Sequence, residues 1–325
     1  MTKAEPLLSL RGITVDLTGP HPARIIDGVD LTVQSGRATA LIGESGSGKT
    51  VIGNAVIGLL PETMRTQGEL LFEGRALLEL PESQRRALRG RGIAMIFQDP
   101  LAALNPSQRI GRQVAEIPRR HGLRRAELRQ TVRGLLERAG IPRPEERARA
   151  YPHQLSGGLR QRAMIAMALS GEPRLLVADE PTTALDVTVQ KRILDLLAGL
   201  QRQFGLGMLF ISHDLRVVSH VADDVVVLYA GRVAESGPAR EVLTHPCHPY
   251  TRALALSVPS VHTASLIAQP IQGAAANPAD RPSGCAFHPR CPLAQERCAV
   301  EVPPLRDTAP GRRAACHFAA EVANA

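Results

Sequence analysis

Gly43-Glu44-Ser45-Gly46-Ser47-Gly48-Lys49-Thr50 is the stretch that decides how the rest of the chain is read. The apolar run Ala38 to Ile42 before it reads as a buried strand, and the run Val51–Leu60 after it reads as a helix. A strand, then G-x-x-x-x-G-K-[ST], then a helix is a phosphate-binding loop in its proper setting. Glycines let backbone N–H groups converge on an anion without Cβ clashes, and the helix that follows points its partial positive end at the same place. Lys49 then reaches the β- and γ-phosphates, and the Thr50 hydroxyl ligates Mg²⁺.

Outward from the loop, Leu7–Leu17 and Ile25–Val33 read as strands of a sheet flanking the core, broken by Gly12, Gly19, Gly28 and Gly36. Gly68–Leu71 reads as a short strand before a turn at Gly74. Ile93–Phe97 is an apolar strand running into Gln98-Asp99-Pro100. Between Ile110 and Ala150 the period becomes helical, with Ile110, Val114 and Ile117 and then Leu128, Val132, Leu135 and Leu136 at three- and four-residue spacing. This predicts a helical insert, its second helix closed by Gly140 and Pro142. Ser156-Gly157-Gly158, ahead of the apolar run Ala163–Leu169, predicts a second helix start with bare N–H groups and Ser156 as its N-cap.

Leu175–Ala178 reads as a buried strand ending in Asp179-Glu180, where one carboxylate suits a hydrated Mg²⁺ and the other suits polarising a water. Thr183-Ala184-Leu185-Asp186 reads as a tight turn before the amphipathic helix Val187–Leu200. Met208–Ile211 is a further strand, ending in Ser212-His213-Asp214, and Val225–Glu235 reads as a hairpin turning at Ala230-Gly231. Gly43, Gln98, Glu180 and His213 each follow the carboxyl end of a strand, the edge at which open α/β sheets bind ligands.

At 325 residues with 44% hydrophobic and 22% charged residues, the composition is globular. No apolar run approaches the ~18–20 residues of a membrane span, and Met1–Pro6 lacks a signal-peptide core. A cytoplasmic protein that meets membranes through partners is expected. The net charge of +8 comes largely from Arg109 to Arg149, where glutamates are interspersed; such a stretch is a solvated helical face and not a nucleic-acid surface. Of five cysteines, Cys285, Cys291, Cys298 and Cys316 cluster in the tail, and Cys247 stands apart as an unliganded thiol. In a reducing compartment a metal or cluster is a better reading of the four than disulfides.

In this order the motifs resemble the ATP-binding cassette (ABC) ATPases over about Leu7 to Leu243. GESGSGKT resembles Walker A, Gln98 the Q-loop, LSGGLRQR the ABC signature, LLVADE Walker B, TALD the D-loop and His213 the H-switch. The resemblance implies an α/β P-loop NTPase: a RecA-like core sheet with an antiparallel β subdomain, a helical subdomain at about residues 101–170, and a small cysteine-containing C-terminal extension. It implies ATP on residues 43–50, Mg²⁺ on Thr50, Gln98 and Asp179, and catalysis by Glu180, Gln98 and His213. Ser156, Gly157 and Gly158 would cover a nucleotide held by a second cassette. Two positions depart from the family: Leu159 stands where glutamine is commonest, and no aromatic precedes Phe72 to stack on adenine, leaving apolar or Arg24-type contacts.

The tail narrows the resemblance. Thr244-His245-Pro246, His248-Pro249-Tyr250-Thr251 and Pro282-Ser283-Gly284-Cys285-Ala286-Phe287-His288-Pro289-Arg290-Cys291-Pro292 are similar to the extension of oligopeptide/dipeptide/nickel importer ATPases. Domains at 1–244 and 245–325 follow. That family associates such cysteines with a 4Fe–4S cluster, here on Cys285, Cys291, Cys298 and Cys316. Their wide spacing lacks the close knuckles of structural zinc, and zinc, free thiols or a disulfide remain the alternatives. The implied protein is the ATP-hydrolysing subunit of a di-/oligopeptide importer, peripheral on the cytoplasmic membrane face. Its partners are two transmembrane permease subunits, a second ATPase subunit (usually a different chain) and, indirectly, a substrate-binding protein. The alternatives are a nickel or metal-chelate importer and a soluble ABC ATPase outside transport.

Overall fold

A computed structural model of the protein describes residues 5–183, 185–257 and 271–323; Ala184 of the turn before the amphipathic helix lies outside them. The strands in chain order are β1 (Leu8–Leu17), β2 (Ala23–Val33), β3 (Ala38–Ile42), β4 (Met64–Phe72), β5 (Arg75–Ala76), β6 (Ile93–Ile96), β7 (Leu175–Asp179), β8 (Gly207–Ser212), β9 (Asp224–Tyr229), β10 (Arg232–Pro238), β11 (Arg306–Ala309) and β12 (Arg312–Ala314). The chain divides into two compact units, one of residues 1–34, 38–79 and 210–325, the other of residues 35–37 and 80–209.

The first unit contains an antiparallel sheet ordered β2-β1-β4-β5. β4 is more than twice the length expected, because its whole span from Met64 to Phe72 pairs with β1 from Leu17 back to Leu8. The fully buried β3 runs parallel to β9, with Ile42 opposite Val227. Burial on both faces is what such an unbroken apolar run requires. β9 and β10 form the predicted hairpin, turning on Ala230 (φ 46°) and Gly231 (φ 78°). A Cβ at Gly231 would collide with the Ile25 carbonyl, so the glycine is required twice over. The helix after the phosphate loop spans Lys49–Ile57 and stops three residues before the end of its apolar run. Gly58 adopts the left-handed conformation there and its N–H caps the Ala55 carbonyl.

The tail adds two strands that its sequence does not announce, β12 pairing with β10 and β11 with β12. It also shares the core of β9 and β10: Tyr250, Leu254 and Phe287 pack with Ile42, Val227 and Tyr229. The rings of Tyr229, Tyr250 and Phe287 meet pairwise with centroids 4.6–5.3 Å apart. Such tilted and edge-on pairs add to the area they bury.

In the second unit β6 and β7 are parallel and fully buried, with Ile93 opposite Leu175 and Ile96 opposite Ala178. The helical insert resolves into Ile110–Val114, Glu116–Arg120, Arg125–Arg138 and Pro144–Arg149, and Gly140 at φ 70° follows the third. The helix Gly157–Leu169 buries Ala163, Met164, Ile165 and Ala166. The amphipathic helix runs Val187–Phe204, one turn beyond expectation, to a left-handed Gly205. Among the described residues no helix is long and apolar enough to cross a membrane.

Candidate functional site

In the first unit the register of β3 against β9 sets the phosphate loop. With Ile42 opposite Val227, the next residues, Gly43 and Leu228, lie side by side, and a Cβ at Gly43 would run into the Leu228 carbonyl. Gly46 (φ 80°) and Gly48 (φ 103°) occupy the left-handed region that glycine tolerates. A Cβ on Gly48 would also lie 2.5 Å from Ile26 Cδ1. Lys49, only 5% exposed, donates from Nζ to the carbonyls of Gly43 (2.8 Å) and Glu44 (2.9 Å). Ser47 is buried, and among the described residues its Oγ has no hydrogen-bond partner. An orphaned hydroxyl beside a curled-back lysine is what an incoming anion can satisfy. Ser45, Gly46 and Thr50 are exposed.

In the second unit a parallel register does similar work. Ile96 faces Ala178, so Gln98 and Glu180, each two residues on, emerge at the same end. Gln98 donates from Nε2 to Glu180 Oε2 (3.0 Å), and Thr183 Oγ1 donates to the same oxygen (3.0 Å). Glu180 sits at φ 45°, a conformation costing a non-glycine residue about 1–3 kcal/mol and typical of functional positions. Asp179, one residue earlier on β7, is 2% exposed.

Ser156 occupies the N-cap position of the helix Gly157–Leu169, but its side chain makes no capping hydrogen bond, against expectation. It is exposed, as is Gly157. His213, in the first unit, is exposed just beyond β8; Asp214 beside it caps the helix Leu215–Val221 by accepting from the Arg216 N–H (2.9 Å). Burial pushes the Asp214 carboxyl up, but Arg216 outweighs it and the group ends below the usual carboxylate range. Arg24 is tied to Asp16 (2.8 Å) and Asp27 (3.5 Å).

The four tail cysteines, all free thiols, line one cavity walled by Pro249, Phe287, Leu293 and Phe318. Burial raises the thiol pKa of Cys285 and Cys291, and with the neighbouring thiols it pushes Cys316 up to about 11. Among the described residues no group of three or more His, Cys, Asp or Glu is placed to hold a metal ion. The four thiols share one cavity, but their placement does not itself support the 4Fe–4S cluster expected there.

An ABC transporter family model matches residues 26–183, and a model of the oligopeptide/dipeptide transporter C-terminal region matches residues 234–298. A probable peptide ABC transporter ATP-binding protein of Sinorhizobium fredii is 44% identical, covering 99% of this chain and 98% of its own length. The dipeptide transport ATP-binding protein DppD of Escherichia coli is 43% identical, over 91% of each chain. This chain belongs to the ATP-binding subunits of ABC transporters, in the oligopeptide/dipeptide class. The cassette is therefore an ABC-type ATPase. Its fold is similar to cbiO1 from Clostridium perfringens, part of the ABC transporter complex cbiONQ (TM-score 0.64, 28% identity, 73% of this chain and 90% of that one). It is equally close to a dimeric cassette in a post-hydrolysis state bound to ADP and Pi (TM-score 0.64, 27% identity, 72% and 99%).

Around the phosphate loop of this cassette stand residues that motif reading missed. The Glu44 N–H donates to Tyr250 Oη (2.7 Å), and burial holds that phenol protonated by raising its pKa. Arg290 forks onto the Glu44 carboxylate (2.6 and 3.0 Å). Arg281 donates to the carbonyls of Ala230 (2.6 Å) and Ile25 (3.1 Å), bracing the turn whose Gly231 N–H donates to Ser47 O. Glu235, fully buried, accepts from the N–H groups of Cys247 (2.9 Å) and His248 (3.0 Å) and from Arg312 (3.1 Å). It thereby anchors the start of the extension. Cys247 is buried, and Arg312 donates to its sulfur (3.2 Å). The short, tyrosine-bearing segment after Thr244 was the one available signal, since this chain has only three tyrosines and Tyr250 is completely buried.

Proposed function

We propose that this cassette energises the import of di- or oligopeptides, working at the cytoplasmic face of a membrane on two permease subunits and beside a second ATPase subunit. The observation that carries the reading is the glycine cradle with Lys49 folded onto its own loop carbonyls, ready to move onto phosphate. The peptide cargo rests on the printed functions of the relatives and on the matched C-terminal region.

In this reading the loop amides of residues 45–50 and the Lys49 ammonium bind the β- and γ-phosphates. The family resemblance assigns Mg²⁺ to Thr50, Gln98 and Asp179, where it would neutralise charge on the phosphates. Glu180 accepts a proton from the attacking water as its oxygen bonds to the γ-phosphorus and the bond to ADP breaks, leaving ADP and inorganic phosphate. Before that step Gln98 and Thr183 hold the Glu180 carboxylate in place. His213 contacts the γ-phosphate, and Ser156 to Gly158 cover the nucleotide of the second cassette. Cys285, Cys291, Cys298 and Cys316 would hold the 4Fe–4S cluster that the resemblance implies, and it would staple a tail with little core of its own.

Co-expression with candidate permease subunits and a peptide-binding protein tests the assignment. Reconstituted vesicles should hydrolyse ATP faster when the binding protein carries a peptide. Stimulation by a nickel chelate and not by peptide would transfer the role to metal import.

A further inference from the structure

The phosphate loop contains one acidic residue, Glu44, and a carboxylate there opposes the loop's task of attracting a polyphosphate. Every polar group of Glu44 is engaged. Its N–H is held by Tyr250, its carbonyl accepts from Lys49, and both carboxylate oxygens are taken by Arg290. Arg290 comes from the extension, 246 residues away, with its side chain 5% exposed. Its seat does not depend on Glu44 alone. Nε donates to Gln272 O (2.9 Å), Nη1 to Tyr229 Oη (3.3 Å), and the guanidinium lies 5.9 Å from the ring centres of Tyr229 and Phe287. A planar fork held by carbonyls and rings is a fixed cation, which a lysine could not reproduce.

We propose that Arg290 acts on nucleotide binding through Glu44: by cancelling that carboxylate's charge it lets the extension set the ATP affinity of the phosphate loop. This rests on the reading that the loop binds ATP. Removing the guanidinium leaves a bare carboxylate beside the bound phosphates. Repulsion of that kind is long-ranged, salt-dependent and relieved by removing the acid.

The test is equilibrium binding of Mg-ATP to the full chain, purified anaerobically, at low and high salt. Arg290→Met should weaken binding about tenfold at low salt and less at high salt. Arg290→Met combined with Glu44→Gln should bind within about twofold of Glu44→Gln alone, since no bare charge remains. Two results overturn the proposal: Arg290→Met binding as the native chain does, or the double variant remaining as weak as Arg290→Met. The latter would also follow if Arg290 served only to pack the fold, because both variants lack it. Failure of the native chain to bind, or full binding by Lys49→Ala, would instead remove the underlying nucleotide reading.

Discussion

The cassette has two glycine-rich helix starts, Gly43–Lys49 in one unit and Ser156–Gly158 in the other, and they are finished to different degrees. In the first, Gly46 and Gly48 take left-handed conformations, Lys49 is folded onto the loop, and Tyr250 and Arg290 pin Glu44 from outside. In the second, neither glycine has positive φ, Ser156 caps nothing, and Ser156 and Gly157 face solvent. Gly158 is needed only for proximity, since a Cβ there would come within 2.8 Å of Val189 Cγ1. A completed anion cradle is built to bind by itself. An exposed helix start without a side-chain cap leaves its N–H groups open to a further partner. That asymmetry agrees with the proposed sharing of each site between two cassettes.

Substitutions can break or sharpen this contrast. The largest effect belongs to the proposed general base: Glu180→Gln should slow hydrolysis by ~10²–10⁴-fold with ATP affinity retained, measured as phosphate release against nucleotide binding. Turnover at the native rate would dismiss Glu180 as the base. Gly48→Ala forces a side chain to φ 103° and into Ile26. It should cost about 1–3 kcal/mol of stability, read from urea unfolding, and weaken ATP binding with it. The smallest effect is at the open start. Ser156→Ala should change stability by less than about 0.5 kcal/mol, because no capping bond is lost, whereas a working N-cap would cost about 1 kcal/mol. Its loss should appear only in turnover of the paired ATPases. A stability loss of the full cap value, with normal turnover, would reverse the roles assigned to the two starts.

Local patterns carried most of the fold and the nucleotide motifs. Residues 38–50 announce strand, loop and helix by spacing alone, and the parallel registers that bring Gln98 to Glu180 follow from strands that stop in step. The apolar run to Leu60 overstated its helix because Gly58 ends it, and Gly68–Leu71 understated β4 because pairing with β1, not composition, sets that strand's length. The contacts that brace the loop from the tail were not legible. Arg290 and Glu44 are 246 positions apart, and Arg281 and Ile25 are 256 apart. No periodicity reports such a contact. The same holds for β12, whose partner β10 lies nearly eighty residues upstream, with Glu235 opposite Ala314.

Calorimetric titration of Mg-ATP into the full-length chain bears most directly on the central claim that residues 43–50 are a finished phosphate cradle. One nucleotide should bind per chain, and Lys49→Ala should abolish that binding while leaving the fold intact by circular dichroism. A folded native chain that takes up no ATP, or a Lys49→Ala chain that binds it undiminished, would contradict the account.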